Sequence, residues 1–188
     1  MAGGRPSWLF ESGASPREKG LAHAVALAGV AALALAGRDL GWAWWQWLVG
    51  VVLVYDLAGG VVANALDSTQ RFYHSPLPFA GNALQRFVHH PVGLTAAHVQ
   101  PVVAGLVFPG GAWWWGPLWY CWALAGAVVA HRADPRWQRP LAMAVTTCGV
   151  LAAPLVAAPP GLAWLPAVLL LKLVLAHGVV HLGQRVTS

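Results

Sequence analysis

Eight histidines stand out in a chain that otherwise holds little charge: His23, His74, His89, His90, His98, His131, His177 and His181. Neutral imidazole is a lone-pair donor suited to zinc, copper, iron or nickel rather than to magnesium or calcium. His177-Gly-Val-Val-His181 is an i, i+4 pair, which sets two rings on one helix face as two ligands of one metal require. His89-His90 is an adjacent doublet. Neighbouring helical residues point in different directions, so the doublet can serve two ions, or one ion and a supporting acid. His98 lies eight residues beyond His90, His74 stands upstream, and His131 closes a later apolar segment.

Asp56 and Asn64 fall in an apolar run, two helical turns apart and on similar faces. A carboxylate at that depth is protonated, paired or bound to a cation. The plain alternative for Asp56 is a pair with Lys172. Asp67, nearer the end of the run, suits a cap or a pair with Arg71. Seven or eight imidazoles exceed the roughly four ligands of one tetrahedral site, so the count favours two metal ions.

The elements that must position these groups are apolar helices. Of 188 residues 58% are hydrophobic and only 9% charged, with a mean hydropathy of +0.59. Ordinary soluble domains carry about 25% charged residues. The expectation is an all-α polytopic membrane protein, one domain over residues 1–188. Six spans are expected, at about 15–37, 41–66, 91–108, 112–131, 139–158 and 162–182, each near the 20 residues a crossing needs. The third is the shortest, and Pro101 is expected to kink it. Tryptophans 42, 44, 45 and 47, and 113 to 115, stand at segment ends as in interfacial belts.

Six spans place Arg5, Arg17, Lys19, Arg71, Arg86, Arg132, Arg136, Arg139 and Arg185 on one side, and only Arg38 on the other. That asymmetry predicts cytoplasmic N- and C-termini in an inner membrane. It also puts all eight histidines at the cytoplasmic end. The basic residues read as topology signals, with no nucleic-acid surface. Residues 1–14 form a polar cytoplasmic tail. Residues 67–90 form a cytoplasmic loop, in which Phe79, Leu84, Phe87 and Val88 can share one face of an interfacial helix. Cys121 and Cys148 lie in apolar stretches and suit small buried residues, not a disulfide framework.

At these residues the chain resembles the membrane-bound, histidine-rich di-iron oxidases, the class of fatty-acid desaturases and hydroxylases. The local likeness is to plasmanylethanolamine desaturases. It is carried by Asp56, Gly60 and Asp67 within Asp-Leu-Ala-Gly-Gly-Val-Val, and by Arg86-Phe-Val-His-His-Pro91. The family's histidine seven residues after the aspartate falls on Ala63, with Asn64 beside it. The resemblance implies two iron ions, O2-dependent hydroxylation or desaturation of a lipid or other apolar substrate, and a separate electron donor. His74, His89, His90, His98, His131, His177, His181 and Asp56 are the candidate ligands. Asp56 and Asn64 are the candidate catalytic groups, and His23 is a second-tier ligand. Two rival expectations stand: a zinc-dependent intramembrane lipid hydrolase using His177 and His181, and a haem- or metal-binding membrane protein.

Overall fold

The computed structural model describes residues 14–74 and 81–179. Within them the chain is all-helical, with no strand. Helix α1 spans Pro16–Ala36 and α2 spans Trp44–Ala65. Both are long and apolar enough to cross a membrane. A reciprocal cap starts α1: Ser15 Oγ accepts from the Glu18 amide at 3.3 Å, and the Ser15 amide donates to Glu18 Oε2 at 2.6 Å. Gln46 does similar work for α2, accepting from the Ala43 amide at 2.9 Å while donating to the Val107 carbonyl at 3.0 Å.

The segment after α2 holds two short helices, α3 (Asp67–Tyr73) and α4 (Ala83–His89). Asn82 caps α4 through Gln85. Leu84 and Phe87 of α4 are exposed, the face expected for an interfacial helix. Phe79, expected on the same face, lies outside the described residues.

The third expected segment is broken into α5 (Pro91–Ala97) and α6 (Gln100–Val107). The break sits at His98-Val99, three residues before Pro101. Pro101 has no amide to donate to Ala97, and its ring collides with the carbonyl four residues back. Helix α7 (Trp115–Arg132) and α8 (Pro135–Ala152, extended by a 3-10 turn at Ala153–Leu155) follow. The last apolar stretch begins as α9 (Leu165–Leu170) and widens into a π-helical stretch, Leu171–Ala176.

This last stretch is the axis of the bundle, packed against α2, α7 and α8. Leu165, Leu169, Leu170, Leu173 and Val174 are sealed against Leu57, Trp115 and Trp119. Helix α1 packs on α2 alone among its stronger contacts, and only 11% of its apolar window is buried. Apolar side chains cover the outside: Leu106 is 83% and Trp113 85% exposed. Patches of that kind mark contact with lipid or with another protein.

Candidate functional site

The break in α5–α6 and the π-helical stretch bring the imidazoles together. A π turn inserts one residue into the helical register, and such turns recur at functional sites. Here the His177 amide donates to the Lys172 carbonyl at 3.1 Å, five residues back. Two side chains brace this turn. Asn64 Nδ2 donates to the Lys172 carbonyl at 3.3 Å. Gln70 Nε2 donates to the Asn64 carbonyl at 2.8 Å and also to the Ala176 carbonyl. Asn64, a candidate catalytic group by sequence, is thus a brace.

His177 is 1% exposed. Neither of its ring nitrogens finds a hydrogen-bond partner among the described residues. Each orphaned buried polar group costs about 1–3 kcal/mol, so a fold seldom leaves two on one ring without an exogenous partner. The rings around it are Tyr73 at 4.6 Å between centroids and His74 at 6.3 Å. His98 and His89 lie within electrostatic range. His74 Nε2 donates to the His177 carbonyl at 3.2 Å. His98 Nδ1 donates to the Leu94 carbonyl at 2.7 Å, a bond that leaves the Nε2 lone pair available. Metal-ligating histidines characteristically hold their second nitrogen this way.

The doublet diverges. His89 packs on Phe72 and Tyr73, at 5.0 and 5.7 Å between centroids. His90 turns to His131, at 4.5 Å. His90 Nδ1 also accepts the Val92 amide at 3.2 Å, which puts the proton of the neutral ring on Nε2. His23 stands apart on α1, where its Nδ1 is hydrogen-bonded to Tyr55 Oη at 2.6 Å. His181 lies outside the described residues.

Asp56, expected as a metal ligand or catalytic carboxylate, has other partners. Its Oδ2 accepts from Lys172 Nζ at 2.7 Å and from Gln100 Nε2 at 3.2 Å. The Lys172 side chain is 5% exposed and that of Asp56 46%. A carboxylate held at 2.7 Å by a lysine ammonium is neutralised by it. Lys172, Gln70, Gln100 and Tyr73 were not singled out as site residues from the sequence. Only Lys172 carried a signal, as a cation inside an apolar run.

A cleft of about 490 Å³ runs between α1 and α2 toward these rings. Small and apolar residues form its walls, among them Ala22, Ala26, Gly59, Ala63 and Val52, with Asp56, Asn64 and Tyr73 on its inner side. Tyr73 therefore separates the cleft from His177.

The donor set fits a transition metal in type, in the unmatched ring of His177 and in the tautomer of His98. It falls short of a closed centre: among the described residues, no three His, Cys, Asp or Glu side chains converge closely enough to hold one ion. No protein-family model matches the chain, and no curated protein or solved structure matches it.

Proposed function

We propose that this chain is an integral membrane, histidine-held metal oxidoreductase that hydroxylates or desaturates a lipid or other apolar substrate with O2. Six spans cross the inner membrane, with both termini cytoplasmic. The apolar exterior and the nine-to-one distribution of basic residues support this topology. The observation that carries the functional reading is His177, sealed from solvent with both nitrogens unmatched and with His74, His89 and His98 around it.

His74, His89, His98 and His177 would hold the metal, with His181 four residues on in the sequence, and His131 would serve a second ion, joined by His90 once its Nδ1 gives up the Val92 amide. Two irons, when bound, supply the oxygen chemistry needed at an unactivated C–H bond, which no side chain can attack alone. The chain's own residues do the rest. The Leu94 carbonyl fixes the His98 tautomer. The Asn64 and Gln70 braces hold the π turn that aims His177. The cleft between α1 and α2 binds the apolar substrate beside Tyr73, out of water. With no flavin or nucleotide motif in the sequence, electrons come from a separate donor.

One observation favours a second reading. His74, His89 and His98 all neighbour His177, while His90, occupied as a cap, stands apart with His131. A single zinc would use that arrangement for hydrolysis of a lipid, its bound water acting as nucleophile. Elemental analysis of the purified protein, with O2 consumption in the presence of a reductant, separates the two. About two irons per chain and reductant-dependent O2 uptake support the oxidase. One zinc, no iron and indifference to O2 support the hydrolase. Absence of both metals after expression in metal-replete medium overturns both.

A further inference from the structure

A second hollow, of about 530 Å³, lies on the other side of α2, between α2, α8 and the π-helical stretch. Its walls are apolar: Val61 of α2, Met143 of α8, and Leu171 and Leu175 of the last stretch. Its rim is cationic, with Arg136 and Arg139 three residues apart and so on one side of α8. Pro140 stands inside α8 and cannot donate to the Arg136 carbonyl, which loosens the helix where the hollow opens. Asp134 Oδ1 accepts from Arg136 Nε at 3.1 Å, and no bond to the terminal nitrogens is present among the described residues. Arg139 has no ion-pair partner among them.

Two guanidiniums over an apolar hollow match a phosphate attached to a hydrocarbon chain. Arginine binds phosphate through paired N–H donors, and basic pockets between helices on the cytoplasmic side take anionic headgroups. We propose that this hollow is a binding site for one anionic phospholipid, its phosphate on Arg136 and Arg139 and one chain along Val61, Met143 and Leu175. The lipid would lie against the outer wall of the turn whose inner end carries His177, and so would buttress it. The site rests on the membrane reading of the chain and is independent of any metal.

The test uses the full chain, purified in detergent and titrated with chain-labelled phosphatidylglycerol or phosphatidylcholine, bound lipid being read from the immobilised component of the nitroxide spectrum. Phosphatidylglycerol is expected to saturate near one per chain and phosphatidylcholine to bind more weakly. Arg136→Gln and Arg139→Gln should each weaken phosphatidylglycerol binding about fivefold, and the pair about thirtyfold, at low salt. Met143→Trp, which fills the hollow with both arginines intact, should abolish saturable binding. Helical circular dichroism and monodisperse elution confirm that each variant is folded. Equal binding of the two lipids, or retention of phosphatidylglycerol by the arginine pair variant or by Met143→Trp, overturns the proposal. Metal content, measured on the same samples, reports separately on the oxidoreductase reading.

Discussion

Lys172 reaches Asp56 by lying across Gly60, where α2 has no side chain. The Lys172 Nζ to Asp56 Oδ2 distance is 2.7 Å, and a Cβ placed on Gly60 would come within 2.9 Å of that Nζ. Gly60 is thus the groove through which a cation from the last helical stretch meets a carboxylate on α2. The same lysine supplies its backbone carbonyl to both His177 and Asn64. One residue therefore ties the ion pair, the π turn and the buried imidazole together.

Asp56→Ala should leave the Lys172 ammonium inside the bundle without its counter-charge. Removing one partner of a fully buried pair costs about 3–5 kcal/mol. Because Asp56 is 46% exposed, the cost falls below that range, at about 2–3 kcal/mol. The thermal midpoint should fall by roughly 5–10 °C, followed by circular dichroism in detergent. Adding Lys172→Met should recover part of the loss. A double variant less stable than Asp56→Ala would show that the lysine contributes by some route other than the pair.

Gly60→Ala should resemble Asp56→Ala rather than a simple overpacking change. The atoms that the new methyl meets belong to the flexible end of Lys172, which can swing away, but only by giving up Asp56. The two substitutions should therefore be strongly non-additive, with an interaction energy of about 1–2 kcal/mol in a double-mutant cycle. Additive losses would place the cost of Gly60→Ala elsewhere.

The sequence carried the elements whose signals are local. The start of the first apolar segment near residue 15, the apolar run of α2 and the opposed directions of His89 and His90 follow from spacing alone, and the structure has each of them. Pro101 announced a kink, but its steric effect acts one turn upstream, so the break falls on His98 and frees that ring. The π turn at Leu171–Ala176 left no mark, because a continuous apolar run looks alike in either register. Gln70 and Gln100 were silent for a related reason: each finds its partner, the Ala176 carbonyl or Asp56, only after distant helices pack. Asp56 and Asn64 were chosen for their chemistry, and packing assigned one to Lys172 and the other to the π turn.

Gln70→Leu should weaken metal binding without touching an imidazole. Its two donated bonds hold the Asn64 and Ala176 carbonyls, and through them the turn that presents His177. Losses from supporting groups of this kind run to about 10–100-fold in metal affinity. Competition against a chelator measures this directly. His23→Ala, remote on α1 and bonded to Tyr55, should leave the affinity unchanged. Equal losses in both variants would point to general loosening of the bundle.

His131→Ala separates one metal ion from two. His131 meets His90 and is not among the rings gathered at His177. With two irons shared between the halves of the doublet, the metal content should drop by about half while His177→Ala removes it all. An unchanged stoichiometry in His131→Ala would instead favour the single-zinc hydrolase.

Pro101→Ala should improve the helix and damage the site. The substitution restores the amide missing at position 101 and removes a ring whose cost inside a helix is about 3 kcal/mol or more. The chain from Pro91 to Val107 can then close into one helix, drawing His98 and Val99 into it. Helical ellipticity should rise slightly and the thermal midpoint should hold or increase. His98 would lose the geometry in which its Nδ1 donates to the Leu94 carbonyl and leaves its Nε2 lone pair available. Metal affinity should fall at least about tenfold, as expected when a supporting bond to a ligand is lost. Opposite movements of stability and affinity are the signature of a break kept for the site. A parallel fall in both would mean that Pro101 serves packing alone, against Gly116 of α7, where its carbonyl already lies close.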